Sequence, residues 1–126
     1  MSLVVPHKTY EIPDDGVHNA EIVEVKDLGT VDTSFGAKHR VMLKYRTEQR
    51  DSKGESITVG ESFNFTIGKG SRLADRVETL TGRRPSRDYD LEELVGWKGQ
   101  IVVQHKDVDG TTYANVDTVL RKRGGN

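Results

Sequence analysis

Residues 29–46 read G-T-V-D-T-S-F-G-A-K-H-R-V-M-L-K-Y-R, and this stretch decides how the rest of the chain is interpreted. It begins with a polar loop that contains one aromatic residue, Phe35, next to Gly36. It continues with a period of two, which is typical of a half-buried strand. One face of this strand carries Val41, Leu43 and Tyr45, and the other carries Arg40, Met42, Lys44 and Arg46. The second face could follow a phosphate backbone, or it could be an ordinary solvated face.

The composition favours one small domain with a single core. The chain has 126 residues, of which 33% are hydrophobic and 6% are aromatic, and most domains contain about 100–150 residues. Lys+Arg 19 against Asp+Glu 20 gives a formal net charge of −1, which argues against a protein that coats nucleic acid by bulk charge. Nucleic-acid binding would therefore depend on segregated charge. The lack of cysteine excludes disulfides, thiolate catalysis and cysteine-ligated zinc.

The sequence predicts a soluble intracellular protein in three parts. No apolar run approaches the roughly 18 residues of a membrane-spanning helix, and M-S-L-V-V-P-H-K at the start lacks the core of a signal peptide. Residues 1–15 are predicted to form an irregular N-terminal arm, residues 16–120 the folded domain, and residues 121–126 a short basic tail.

The apolar pattern predicts a mainly β domain with five strands and one helix. Gly60 is expected to mark a bulge or a bend in the third strand. Ser71 is expected to cap the helix, Gly82 to end it, and Asp90 to cap a short helical turn. The predicted strands cover residues 16–28, 38–47, 55–67, 97–105 and 111–120, the helix residues 72–80, and the helical turn residues 91–95. A helix between strands three and four matches the five-stranded Greek-key barrel called the OB-fold; another small barrel or a sandwich fragment is the alternative.

Four segments carry a resemblance to a known family. They are G-V-H-N-A-E-I-V-E-V-K-D-L-G-T-V-D-T-S-F-G-A-K-H-R-V, S-R-L-A-D-R-V-E-T-L-T-G-R, D-L-E-E-L-V-G-W-K-G-Q-I-V-V-Q-H and T-Y-A-N-V. Together they resemble a family of small phage and prophage OB-fold proteins that are similar to single-stranded DNA-binding proteins. The resemblance implies an OB-fold, a role in DNA replication or recombination, and a place in the bacterial host cytoplasm. It assigns no contact residues, so the candidates below come from the strand pattern.

The candidate nucleic-acid-binding residues follow from how OB-folds bind oligonucleotides. These folds use strands two and three together with the loops between strands one and two and between strands four and five. The corresponding residues are Phe35, Lys38, His39, Arg40, Met42, Lys44, Arg46, Asn64, Lys106 and Tyr113. Phe35 is either a stacking platform for a base or a plug packed on the barrel end. Phe63 and Phe65 share parity with apolar residues of the third strand and are predicted to lie in the core.

Catalytic and metal-binding patterns are weak. The histidines His7, His18, His39 and His105 are dispersed and lack zinc-ligand spacing. The G-K-G-S segment at 68–71 departs from the phosphate-loop pattern G-x-x-x-x-G-K-[ST]. The D-V-D-G segment at 107–110 lacks the later ligands of a calcium loop, and a hairpin turn explains it better. We expect a protein that is not an enzyme and that uses no metal or other cofactor.

Two functions from different classes remain open. The first is a sequence-tolerant single-stranded DNA-binding protein. The second is an OB-fold protein-interaction module of a replication or recombination complex, without intrinsic DNA binding; a small-ligand barrel is weaker. Neutralisation of Arg40, Lys44 and Arg46 by carboxylates such as Glu48 or Glu61 would favour the second. The expected partner is single-stranded DNA, with replication or recombination proteins and further copies of the chain as additional candidates; no membrane is expected.

Overall fold

Five antiparallel strands form one sheet in the computed structural model, which describes residues 11–67, 70–85 and 89–121. The strands are β1 (Gly16–Thr33), β2 (Gly36–Arg50), β3 (Ser56–Asn64), β4 (Lys98–Val108) and β5 (Thr111–Arg121). Their order in the sheet is β3-β2-β1-β4-β5. Some Cα atoms of the edge strands β3 and β5 lie within 8 Å of each other, but no ladder joins these strands among the described residues, so the sheet is open.

The predicted mainly β class is therefore confirmed, as is the helix between the third and fourth strands. The predicted residues 1–10 of the arm and 122–126 of the tail lie outside the described residues. Residues 11–15 have no regular secondary structure. Within the described ranges, no helix combines the length and apolar character needed to cross a membrane.

The first hairpin is longer than predicted. The β1–β2 ladder continues through the pair Thr33 and Gly36, which leaves only two residues, Ser34 and Phe35, in the turn. The Thr33 hydroxyl closes this turn, because it accepts the Phe35 N–H at 3.1 Å and donates to the Gly36 carbonyl at 2.7 Å. Most of the residues that were predicted to form a loop are therefore paired in the β1–β2 ladder. Two register shifts, between Ile22 and Glu24 and between Asp27 and Gly29, bend β1.

The core lies between the inner face of the sheet and the helix α1 (Arg72–Thr81). The predicted caps of α1 are confirmed: the Ser71 hydroxyl accepts the Ala74 N–H at 3.0 Å, and Gly82, at φ 82°, donates its N–H to Glu78. A short 3-10 helix (Leu91–Leu94) follows, capped by Asp90 as predicted. The apolar face of α1 buries Leu73, Ala74, Val77 and Leu80 against strand residues that include Ile22, Leu43, Tyr45, Phe63 and Ile101. Every strand and the helix therefore contribute to one core.

The structure corrects three expectations about the third strand. The β2–β3 ladder has no register shift at Gly60, so the predicted bulge is absent. A Cβ atom at this position would lie 2.5 Å from the Met42 Sδ, which shows that the glycine makes room for Met42. The strand ends at Asn64 rather than at residue 67, and Phe65 is 50% exposed rather than in the core.

Candidate nucleic-acid interface

The side of β2 that faces away from the core carries the predicted cationic row. Arg40, Met42, Lys44 and Arg46 alternate with the buried residues Val41, Leu43, Tyr45 and Thr47. Opposite them on β3 lie Asn64, Ser62, Gly60 and Thr58. We call these eight residues the β2 outer face. Because the β3 positions are small and polar, this surface is shallow. The Arg40 Nη1 donates to the Asn64 Oδ1 at 2.9 Å, so two of the predicted residues are in contact.

Carboxylates of β1 border two of these cations. The Arg46 Nη2 lies 2.7 Å from the Glu21 Oε1, and the Lys44 Nζ lies 3.8 Å from the Glu24 Oε1. All four side chains are at least a quarter exposed, and exposed ion pairs of this kind contribute about 0.2–1 kcal/mol. A phosphate oxygen can therefore replace either carboxylate at a small cost in free energy.

The two carboxylates that the sequence singled out for this role lie elsewhere. Glu61 is 7% exposed and faces the core, where its carboxylate accepts hydrogen bonds from Arg76 and Tyr45. Glu48 lies 2.8 Å from the His18 ring. Partial neutralisation of the cationic row is therefore found, but its source is β1.

Two exposed aromatic side chains lie toward the end of the sheet at which β2 begins. Phe35, at the tip of the β1–β2 hairpin, is 87% exposed, so the alternative that it plugs the barrel end is wrong. Lys38 is exposed on the same hairpin. The Phe65 ring contacts the His39 ring with centroids 4.6 Å apart, and the His39 Nε2 lies 2.6 Å from the Asp27 Oδ1. Phe65 therefore presents a supported, half-exposed ring beside Asn64.

Phe65 is the site residue that the sequence pattern missed. Its parity with Phe63 placed it on the inner side of β3, and it does follow that side. However, its backbone N–H donates to the His39 carbonyl at 2.8 Å, and Phe65 therefore lies past Phe63, the last core residue of β3. Its ring packs on His39 and stays half exposed. The one available signal was its position directly after Asn64, at the start of the polar segment T-I-G-K-G.

The predicted residues Lys106 and Tyr113 form a separate pair. They lie opposite each other in the β4–β5 ladder, and Tyr113 is 52% exposed. Strand β1 pairs with β4 only near its start, at Gly16–Glu21, whereas Phe35 lies past its other end. The two hairpins thus extend past opposite ends of β1. The structure therefore divides the predicted site into a β2 group and a β4–β5 pair.

The buried side chain of His18 connects Asp14, in the predicted N-terminal arm, to the sheet. His18 is 7% exposed; its Nδ1 lies 2.8 Å from the Glu48 Oε2, and its Nε2 lies 2.7 Å from the Asp14 carbonyl oxygen. Because both ring nitrogens face acceptors, the protonated ring satisfies both contacts. Burial alone lowers the pKa of His18, but the Asp14 carbonyl and Glu48 outweigh it, and the pKa is raised above its ordinary value. Burial likewise opposes ionisation of Glu48, yet His18 and the Asn19 N–H hold its pKa below the usual range.

The His18→Gln variant is expected to lose more stability at pH 5.5 than at pH 8.5. A raised folded-state pKa contributes stability that is fully present below the unfolded value of about 6.5 and is lost as pH rises through the folded value. Urea unfolding of both proteins at the two pH values measures the difference. The same comparison in a Glu48→Gln background should show a smaller pH dependence. A penalty for His18→Gln that is equal at both pH values would contradict the charged ring.

The described residues contain no group of three or more histidine, aspartate or glutamate side chains arranged to hold a metal ion. No protein-family model matches the chain, and no curated protein matches it either. Function is therefore inferred from the geometry of the chain itself.

Proposed function

We propose that this protein binds single-stranded DNA, with little dependence on sequence, across the β2 outer face. One observation carries the proposal: cations alternate along the outer side of β2, and the half-exposed ring of Phe65, which rests on His39, follows Asn64 at the end of the adjoining strand. Proteins that bind single strands without sequence preference combine a cationic groove along the backbone with aromatic rings on which bases stack. Arg40, Lys44 and Arg46 would contact phosphates, and Phe65 and Phe35 would stack on bases.

The shape of the β2 outer face supports this assignment. The β3 residues opposite the cations end in a hydroxyl, an amide or no side chain at all, so a nucleic-acid strand can lie close to the sheet. Met42 lies across Gly60 and offers a soft apolar surface between the cations.

We further propose that the sheet belongs to the OB-fold class. Five antiparallel strands, a helix between β3 and β4, and the approach of β3 to β5 support a partly open barrel of this type. In that class strands two and three form the usual oligonucleotide surface, and here those strands form the β2 outer face. A role in phage or prophage DNA replication or recombination, in the host cytoplasm, rests on the resemblance of the four sequence segments described above.

The second candidate function is a protein-interaction module of a replication or recombination complex. The observation that favours it is the pairing of Lys44 with Glu24 and of Arg46 with Glu21. These carboxylates lower the positive potential of the β2 outer face and oppose the approach of phosphates. A face with both charges suits a protein partner that carries complementary charges of both signs.

Titration of a fluorescent oligo-dT at low salt separates the two candidates. Lys44→Glu is expected to weaken binding, because it places a carboxylate on the phosphate path, and Glu24→Gln is expected to strengthen binding, because it removes the competing carboxylate. Glu92→Ala, on the exposed side of the 3-10 helix, is the control and should change nothing. If the wild-type protein does not bind oligo-dT at low salt, the single-strand proposal is wrong and the interaction module is favoured.

A further inference from the structure

A polar groove of about 1060 Å³ lies across the end of β2 that is remote from Phe65. Its walls come from the start of β1, the last residues of β2 and the first residues of β4. Arg46 belongs both to this groove and to the β2 outer face, and Arg50 and Lys98 lie further along it. The groove is therefore continuous with the surface proposed to bind single strands.

The carboxylates in the groove are already compensated. The Glu21 Oε1 lies 2.7 Å from the Arg46 Nη2. The Glu48 Oε2 faces the His18 ring at 2.8 Å, and its Oε1 accepts the Asn19 N–H at 3.0 Å. Both carboxylates thus already have a partner, and Glu48 has both of its oxygens occupied.

Two cations of the groove lack such compensation. The Arg50 Nη1 donates to a neutral acceptor, the Gly54 carbonyl, at 3.1 Å, and Lys98 is exposed. Neither side chain takes part in an ion pair within the part of the chain that the structure describes. The groove therefore carries excess positive charge, which attracts an anionic ligand.

Neutral hydrogen-bonding groups lie between these cations. The Gln100 Nε2 donates to the Asn19 Oδ1 at 3.3 Å, and both amide side chains belong to residues that line the groove. Ser56 adds a hydroxyl to the lining. Cations separated by amide and hydroxyl donors match the oxygens of a chain of phosphodiesters better than those of one compact anion.

We propose that this groove binds the phosphodiester backbone of the same single-stranded DNA, in the segment of the DNA that lies beyond Arg46. The inference rests on the proposed function and extends it from one face of the sheet to a second segment. A short oligonucleotide would occupy the β2 outer face alone, whereas a longer one would also reach Arg50 and Lys98. Binding sites on OB folds cover about 4–16 nucleotides, which leaves room for two such segments.

The test compares two oligo-dT lengths, about 5 and about 16 nucleotides, on the full chain. Lys98→Glu is expected to weaken binding of the longer oligonucleotide about tenfold at low salt and to make the slope of log K against log[salt] about 0.7 less negative. Its affinity for the shorter oligonucleotide should stay within about twofold of the wild-type value, because no phosphate then reaches the groove. Arg50→Glu should behave in the same way and serves if the first variant does not fold.

Arg83→Glu is the matched control, because it makes the same charge change at an exposed position just after α1, outside the groove lining. It should bind both lengths as the wild type does. If Lys98→Glu and Arg50→Glu bind the longer oligonucleotide as tightly as the wild type, the groove is not part of the path, although the proposed function stands. If the wild type binds neither length, the proposed function and this extension are both wrong.

Discussion

Replacing Arg76 with methionine is expected to destabilise the protein by about 3–5 kcal/mol, because it leaves a buried carboxylate without its cation. The Glu61 side chain is 6% exposed and the Arg76 side chain 13% exposed. The guanidinium holds the carboxylate through its Nε, at 3.0 and 3.1 Å from the two oxygens, and through its Nη2 at 2.6 Å. Without Arg76, the Tyr45 hydroxyl, at 3.1 Å, is the one side-chain donor to Glu61 that remains among the described residues.

Tyr45 cannot take over the role of Arg76. Burial and the nearby Glu61 carboxylate raise the pKa of the Tyr45 hydroxyl well above its ordinary value, so the hydroxyl keeps its proton and remains a neutral donor. A neutral hydrogen bond contributes about 0.5–1.5 kcal/mol, which is less than the cost of an unpaired buried charge.

Urea unfolding at neutral pH measures the effect of Arg76→Met. The double variant Arg76→Met/Glu61→Leu should recover most of the lost stability, since it removes the buried charge along with its partner. Arg83→Met is the control, because Arg83 is an exposed arginine. A loss of less than about 1 kcal/mol for Arg76→Met would show that Glu61 remains hydrated in the folded protein.

Replacing Phe65 with alanine is expected to weaken binding of oligo-dT by about 5-fold to 150-fold. Removal of an aromatic side chain that stacks on a base costs about 1–3 kcal/mol, and each 1.4 kcal/mol corresponds to about tenfold in affinity. The fold should tolerate the change, because Phe65 is 50% exposed and lies just after the end of β3. The lost binding would therefore report on the interface rather than on unfolding.

The same titration with three further variants locates the stacking. Phe35→Ala should also weaken binding, because this exposed ring lies at the tip of the β1–β2 hairpin, next to the start of β2. Phe65→Trp should retain binding, since it keeps an aromatic surface. Val95→Ala is the matched control: it removes another exposed apolar side chain, 42% exposed, next to the 3-10 helix. Wild-type affinity for Phe65→Ala would exclude stacking at this position.

Features that depend on neighbouring residues could be predicted from the sequence. The start and end of α1 were correct because Ser71 and Gly82 act on backbone groups within four residues of themselves. The side of the sheet on which each β2 side chain lies was also predicted correctly. Strict alternation with Val41, Leu43 and Tyr45 leaves only one arrangement that buries the apolar side chains. The cationic row of the candidate site follows directly from that alternation.

Features that depend on distant residues could not be predicted. Glu61 has the parity of a core residue, but its cation lies 15 positions away, so the strand pattern gave no sign of a buried ion pair. The carboxylates that face Lys44 and Arg46 are set by the register of β1, which shifts between Ile22 and Glu24. A bulge of this kind has no fixed sequence signal. The alternation of side chains also shows which side of the sheet a residue faces, but it does not show where the core ends. Phe65 was therefore wrongly predicted to be buried.

The salt dependence of oligo-dT affinity tests single-strand binding at the β2 outer face most directly. The wild-type protein should bind fluorescent oligo-dT more tightly than a duplex of equal length, and log K should fall linearly with log[salt]. Each phosphate contact contributes a slope of about −0.7 for a single strand, so contacts to Arg40, Lys44 and Arg46 predict a slope of about −2 or steeper. Absence of binding at low salt, or equal affinity for single strand and duplex with no salt dependence, would contradict it.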